Sequence, residues 1–102
     1  MPLVSVIIPS YNHEKYVAEA IQSVLDQSFQ DLEVVITDDG STDGTVHEIN
    51  QFNDPRLRLF RFEKNQGAAL AVSHSVKQSR GKYLALLNSD DLFLPKKIEE
   101  QV

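Results

Sequence analysis

The 102-residue sequence contains no cysteine and no tryptophan, and it has only four glycines and four prolines. The absence of cysteine excludes a disulfide framework and thiol-based zinc or redox sites. Ordinary glycine and proline contents, with 41% hydrophobic and 25% charged residues, exclude collagen-like, low-complexity and disordered chains. The composition therefore predicts one globular domain that spans residues 1–102.

The sequence also lacks a hydrophobic run long enough to be a signal peptide or to cross a membrane. The run from Leu3 to Ile8 stops at Pro9, far short of the ~20 apolar residues that a spanning helix needs. Fifteen acidic residues outnumber ten basic ones, and only three arginines between positions 56 and 61 cluster, which argues against a nucleic-acid surface. We expect a cytoplasmic domain that binds no nucleic acid. The inner face of the membrane is the alternative location for a full-length protein.

Hydrophobic patterning predicts an alternation of strands and helices. β-branched runs predict buried strands, apolar pairs four residues apart predict an amphipathic helix, and arginines alternating with apolar residues predict an edge strand with arginines outward. The predicted strands span 3–8, 32–37, 56–62 and 83–88, and the predicted helices span 13–27, 45–52 and 66–80, with another from Pro95. Gly81 is the expected stop of the third helix. This order predicts a parallel sheet with helices on both faces.

Three polar clusters follow strands of the predicted sheet: Pro9 to Asn12, Asp38 with Asp39, and Asn88 to Asp91. Ligands of parallel sheets bind beyond the carboxyl ends of the strands. Carboxylates gathered there repel one another unless a cation bridges them. Mg²⁺ or Mn²⁺ is the expected bridge, because both take carboxylate and phosphate oxygens as ligands. The alternative is that each acid only shapes or caps its own turn.

The amino-acid sequences of the loops indicate a family more specifically than the spacing of the polar clusters does. The segments are Val4-Ser-Val-Ile-Ile-Pro-Ser-Tyr-Asn12, Gln27-Ser-Phe29, Glu33-Val-Val-Ile-Thr-Asp-Asp-Gly-Ser-Thr-Asp-Gly-Thr45, Asn65-Gln-Gly67 and Gly81-Lys-Tyr-Leu-Ala-Leu-Leu-Asn-Ser-Asp-Asp91. In this order they closely resemble the family 2 glycosyltransferases of the GT-A fold, over essentially the whole chain. The resemblance implies a Rossmann-like three-layer α/β/α domain, the N-terminal half of a GT-A fold, with four parallel strands in the order 3-2-1-4.

The resemblance also implies a reaction. A glycosyltransferase of this kind transfers a sugar, with inversion, from a nucleotide diphosphate sugar to an acceptor, and we expect UDP as the nucleotide. Its general base is a carboxylate that deprotonates the acceptor hydroxyl. That base is expected beyond Val102, since a GT-A catalytic domain needs roughly another hundred residues. The 102 residues alone are therefore expected to bind the donor without transferring the sugar.

The resemblance further implies site residues. The expected nucleotide-binding residues are Pro9, Ser10, Tyr11, Asn12, Asp39, Gly67, Asn88 and Ser89, and the expected metal ligands are Asp90 and Asp91. Asp39, held by the loop that begins at Gly40, is expected to accept a hydrogen bond from an N–H of a uracil-like base. Tyr11 either stacks on the base or covers the first turn of the following helix. Asp90 is the stronger metal ligand of the pair, because Asp91 can equally be a supporting or capping residue.

Two further acids, Asp38 and Asp43, are expected to shape the loop that follows the second predicted strand. On the third helix, Val72 and Ser73 stand where many relatives have arginine and asparagine, so Lys64 or another residue would supply any basic contact to the diphosphate.

The alternative function is a non-catalytic nucleotide-binding or regulatory α/β module, such as a phospho-acceptor receiver domain. Receiver domains place an acidic pair after the first strand, where this sequence has Pro9 to Asn12. That difference makes the receiver the weaker hypothesis.

The fourth predicted strand favours association between chains. The implied order puts Tyr83 to Asn88 at a sheet edge, and this segment carries neither a charge nor a proline to discourage pairing. We therefore expect the chain to associate with itself through this strand, either by antiparallel edge pairing across a two-fold axis or by packing of sheet faces that further polypeptide would cover.

Overall fold

The computed structural model describes residues 2–27 and 30–87. Its strands are β1 (Val4–Ser10), β2 (Leu32–Asp38), β3 (Leu57–Arg61) and β4 (Tyr83–Leu86), and its helices are α1 (Val17–Leu25), α2 (Thr45–Ile49) and α3 (Ala68–Gln78). All pairings are parallel and the order is β3-β2-β1-β4. The predicted fold class and strand order are confirmed. The helix predicted from Pro95 lies outside the described residues.

The two central strands are buried on both faces, as their β-branched composition predicts. Successive side chains of a strand point to opposite faces. One face carries the main core, which consists of Val4, Val6, Ile8, Val17, Ala20, Ile21, Val24, Leu25, Leu32, Val34, Ile36, Ile49 and Leu87. On the opposite face α3 packs against the sheet, where the Ser75 hydroxyl lies 2.6 Å from the Thr37 hydroxyl. No helix within the described ranges is long and apolar enough to span a bilayer.

A serine and an acid pair at both ends of the ladder between β1 and β2. Ser5 is in register with Glu33, and its hydroxyl donates to the Glu33 carboxylate at 2.6 Å. Ser10 is in register with Asp38 and donates to its carboxylate at 2.8 Å. All four side chains are buried. A slip of one residue would turn each strand's side chains to the other face and leave these acids without their donors, so the pairs fix the register.

Glu33 is a buried carboxylate that the sequence analysis did not identify, because it lies within an otherwise apolar strand. Only 2% of it is exposed. Besides Ser5, it accepts hydrogen bonds from the Arg80 backbone N–H at 2.7 Å, from Arg80 Nε at 3.1 Å and from an Arg58 guanidinium nitrogen at 3.0 Å. The network ties β3 and the connection between α3 and β4 to the centre of the sheet.

The three arginines predicted on the third strand, of which Arg56 lies just before β3, therefore do not form the simple outward face that alternation predicted. Arg58 turns toward Glu33 and also donates to the Gln78 carbonyl at 2.7 Å. Arg56 is half-buried and pairs with Asp54 at 2.9 Å. Only Arg61, at the end of the strand, is exposed. The physical reason is that a buried acid on the neighbouring strand needs donors, and Arg58 is within reach.

Gly81 also has a different function from the one predicted. α3 ends at Gln78 with Ser79 as its C-cap, so Gly81 does not end the helix. Its N–H donates to the Ser5 hydroxyl at 2.8 Å, and a Cβ atom at Gly81 would lie 2.5 Å from the Ser5 nitrogen. Glycine is required there because the backbone entering β4 passes directly against β1.

Replacement of Glu33 by glutamine is expected to lower the free energy of unfolding by about 1.5–3 kcal/mol, the usual value of hydrogen bonds to a charged group. Burial alone raises the pKa of Glu33, but the bonds from Ser5, the Arg80 N–H and Arg58 outweigh it and leave the pKa below its ordinary 4.5. The contribution is complete above pH 4.5 and is lost as the pH falls through the lower folded-state pKa. Denaturant titrations should show the two proteins converging at acid pH.

Glu63→Gln is the matched control, because Glu63 is exposed between β3 and α3. It is expected to leave stability unchanged at neutral pH. A Glu33→Gln protein as stable as wild type at neutral pH would contradict the structural importance of the network.

Candidate nucleotide-binding site

A cleft opens at the carboxyl ends of β1 and β2, where α3 begins. Its volume is about 210 Å³, and its lining residues are Pro9, Ser10, Tyr11, His13, Asp39, Ala68 and Ala71. The lining includes four of the nucleotide-binding residues expected from sequence. The other three lining residues, His13, Ala68 and Ala71, were not predicted from the sequence. The small side chains that follow Asn65-Gln-Gly67 could have indicated open space beside the sheet. The position is the one in which parallel α/β sheets bind ligands.

Asp39 lies on the inner wall of the cleft with only 3% of its surface exposed. Its backbone N–H donates to the Ser10 carbonyl at 2.8 Å. Its carboxylate accepts hydrogen bonds from the Gln66 N–H at 2.6 Å, the Gly67 N–H at 3.0 Å and Asn65 Nδ2 at 3.1 Å. The turn before α3 therefore holds Asp39, and the expectation that the loop beginning at Gly40 does so is wrong.

Asp38 takes the contacts with that loop instead. It accepts hydrogen bonds from the Ser41 N–H at 2.9 Å and from the Ser41 hydroxyl at 2.6 Å, in addition to the bond from Ser10. The two adjacent acids have different partners because consecutive side chains in extended backbone point to opposite faces. Asp38 faces the loop before α2, and Asp39 faces the start of α3.

Asn12 joins two loops and is not among the residues that line the cleft. It has a left-handed backbone, with φ +51°, a conformation that asparagine tolerates better than most residues. Its N–H donates to the Ser41 hydroxyl, and its Oδ1 accepts from the Thr42 N–H, both at 2.9 Å. Asp43 adds to the same structure by accepting from the Thr45 N–H at 2.9 Å. The loops after β1 and β2 thus form one unit beneath the cleft.

Two glycines allow the turn before α3 to reach Asp39. Gly40 has φ +74°, and a Cβ atom there would lie 2.6 Å from the Asn65 nitrogen and from the Lys64 carbonyl carbon. Gly67 has φ +101° and open space around it, so its requirement comes from the backbone angle alone. Gly67 contributes to the site by directing its N–H at Asp39.

The acids at the end of β2 and in the loop after it are all hydrogen-bonded within the protein. Asp38, Asp39 and Asp43 all accept hydrogen bonds from protein donors, which offset the repulsion that the sequence suggested. Within residues 2–27 and 30–87, no group of three or more histidine, cysteine or acidic side chains could hold a metal. The remaining expected site residues, Asn88, Ser89, Asp90 and Asp91, lie outside the described residues.

The fold is that of GT-A glycosyltransferases. The structure of S. aureus TarS 1–349 in complex with UDP-GlcNAc matches with a TM-score of 0.91 and 32% identity, over 97% of this chain and 30% of that chain. The mannosyltransferase PcManGT from Pyrobaculum calidifontis, in complex with GDP-Man and Mn²⁺, matches with a TM-score of 0.84 and 28% identity, over 90% of this chain and 28% of that chain.

Sequence comparison makes the assignment more specific. The family model described as glycosyl transferase family 2 matches residues 5–102, and the chain belongs to this family. TuaG of Bacillus subtilis (strain 168), a glycosyltransferase assigned to teichuronic acid biosynthesis, is 44% identical over 103 residues. That alignment covers 99% of this chain and 41% of TuaG. The chain thus spans about two fifths of the length of this relative.

Proposed function

We propose that the chain is the donor-binding part of a glycosyltransferase that uses a UDP-sugar. The observation that carries the proposal is the cleft at the ends of β1 and β2, with the carboxylate of Asp39 in its wall. A carboxylate accepts hydrogen bonds and cannot donate them when ionised. It therefore suits the ring N–H of uracil.

Tyr11 is proposed to stack on the base. The residue lines the cleft and is 41% exposed, so its ring has a free surface to offer. Ser10, Asn12 and Gly67 are proposed to contribute mainly by holding the loops around the nucleotide. The complex of TarS with UDP-GlcNAc, on a closely similar fold, supports the choice of donor.

A divalent cation, Mn²⁺ or Mg²⁺, is proposed at the diphosphate. Asp90 and Asp91 would hold it, because they come shortly after β4 in sequence and the described acids near the end of β2 are already hydrogen-bonded. The bound Mn²⁺ of PcManGT supports this choice. When bound, the cation would act as a Lewis acid that neutralises charge on the departing nucleoside diphosphate. Asn88 and Ser89 are proposed to contact the ribose or the diphosphate.

Sugar transfer with inversion is proposed to need polypeptide in addition to these 102 residues. An inverting reaction requires a base that deprotonates the acceptor hydroxyl on the side opposite the leaving group. The described acids nearest the cleft are engaged with backbone and side-chain donors, so none of Asp38, Asp39 and Asp43 is suited to that task. TuaG, of which the chain spans 41%, is more than twice as long.

UDP is expected to bind, and Mn²⁺ is expected to strengthen the binding, as measured by calorimetry. Asp39→Ala should weaken UDP by about tenfold or more, since a hydrogen bond to a charged group contributes about 1.5–3 kcal/mol. Asp90→Ala should abolish the effect of Mn²⁺ while leaving metal-free UDP binding intact. Asp31→Ala is the control, because Asp31 is exposed at the opposite end of β2. Unchanged affinities in folded Asp39→Ala and Asp90→Ala proteins would contradict the site assignment.

The purified 102 residues are expected to show no sugar transfer to any acceptor, with slow donor hydrolysis as the only turnover. Chromatographic detection of free and transferred sugar separates these outcomes. Steady transfer by the purified chain would mean that the complete catalytic set lies within it.

Self-association through β4 is the remaining proposal about partners. Leu84 and Leu86 are 52% and 58% exposed, and they lie on the face of the sheet that α3 covers only in part. In the described part of the chain β4 pairs with β1 alone, so its outer backbone groups are available to a second strand. Antiparallel pairing of two β4 strands across a two-fold axis would satisfy these groups and cover both leucines.

Light scattering is expected to show a dimer whose dissociation constant rises when Leu84 and Leu86 are both replaced by lysine. The charges would oppose each other across the two-fold axis. Tyr16→Lys is the control, because it removes a residue of similar exposure, 53%, at the start of α1. A wild-type monomer at high concentration, or a dimer insensitive to the double substitution, would rule out this interface.

A further inference from the structure

The two leucines of β4 lie on the side of the sheet where α3 packs. Ala85, between them, packs against the main core on the other side. Consecutive side chains of a strand point to opposite faces, so Leu84 and Leu86 share the face of α3. Both are more than half exposed, because α3 makes its contacts with the sheet over β1 and β2.

α3 adds a third apolar side chain beside them. Ser75 is buried against the sheet, and the His74 ring contacts the Phe60 ring of β3, with 5.2 Å between the ring centroids. Successive residues of a helix are turned by about 100° around its axis. Val76 therefore lies on the side of α3 away from His74 and toward β4, and it is 41% exposed.

Val76, Leu84 and Leu86 form an apolar surface between α3 and β4, which we call the β4 face. Adjoining exposed apolar side chains mark places where another element packs. A second strand paired at the edge of β4 would extend the sheet beside the leucines, but a sheet face is buried only by another layer. The β4 face therefore fits a helix that lies next to α3.

The end of the sequence has the pattern of such a helix. Leu94, Ile98 and Val102 recur every four residues, and the positions between Pro95 and Val102 are otherwise charged or polar. This spacing is typical of a helix with one apolar side. Its apolar residues would be about 6 Å apart along the helix axis, and alternate residues of a strand such as β4 are about 6–7 Å apart. The two spacings match.

Connection rules and charge favour the same placement. A helix that follows β4 begins at the carboxyl ends of the strands and runs back along the sheet. A right-handed connection that continues in the direction of the step from β3 to β4 lies on the face of α3. Glu99 and Glu100 would then approach the end of the sheet where Lys77 and Lys82 are exposed, and these charges attract.

We propose that the β4 face is the docking surface for residues 94–102 of the same chain, with Leu94, Ile98 and Val102 packed on it. The inference does not depend on nucleotide binding. Docking there keeps Asn88 to Asp91, which connect β4 to the docked segment, at the carboxyl end of the sheet where the cleft opens.

Chemical cross-linking tests the placement directly, because the sequence has no other thiol. A short bismaleimide is expected to join Leu84→Cys to Ile98→Cys within one chain, in high yield at low protein concentration. Tyr83→Cys with Ile98→Cys is the matched control. Tyr83 is 45% exposed, but its side chain lies on the opposite face of β4, so its yield should be severalfold lower.

Two cross-linking results would overturn the proposal. Equal yields from the two cysteine pairs would show that the segment has no preference for the β4 face. A product of twice the chain mass would assign the face to a second copy. Neither result bears on UDP binding by the cleft, which calorimetry tests separately.

Thermal melting provides a measurement that needs no cysteine. Ile98→Asn is expected to lower the melting temperature by about 4–8 °C, a shift typical of a lost apolar contact in a domain of this size. Lys96→Asn, on the polar side of the same predicted helix, should melt at the wild-type temperature. Circular dichroism checks that both variants are folded. An Ile98→Asn protein that melts with wild type would contradict the docking.

Discussion

The pairing of β1 with β2 is the constraint on which the rest of the molecule depends. These two strands form the centre of the sheet and are buried on both faces. Their register matters because each end of the ladder holds a buried acid that receives its hydrogen bond from a serine on the neighbouring strand. Unpaired buried carboxylates are costly, so competing registers are penalised twice. The same ladder places Ser10 and Asp39 together at the edge where the cleft opens.

The two ends of the ladder then serve different purposes. At the amino end, Glu33 and Ser5 secure Arg80 and Gly81, and so fix the point at which the chain enters β4. At the carboxyl end, Asp38 organises the loop before α2 and Asp39 fastens the turn before α3. The amino ends of β1 and β2 therefore hold the network that fixes the entry into β4. At the carboxyl ends the same chemistry, carboxylates surrounded by donors, orders the loop before α2 and the turn before α3.

Much of this architecture was predictable from local patterns. The β-branched runs of β1 and β2, the apolar stripe of α1 and the glycine-rich loop after Asp39 are signals that depend on neighbouring residues only. Glu33 was the main residue overlooked, since a single acid inside an apolar run gives no indication of its partners. Arg58, Arg80 and Ser5 lie 25, 47 and 28 positions away from it, and only folding brings them together.

The sequence by itself determined the order of elements, the parallel sheet, the family and the gathering of polar residues at the carboxyl ends of the strands. These properties follow from side-chain periodicity and from the sequences of the loops. Both signals depend only on residues that are close together in the chain. Only the tertiary structure decided which partner each acid takes. Asp38 and Asp39 are adjacent in sequence, yet extended backbone turns their side chains to opposite faces of the sheet. One meets the loop at Ser41 and the other meets the turn at Asn65, because packing of α3 against the sheet brings that turn to Asp39.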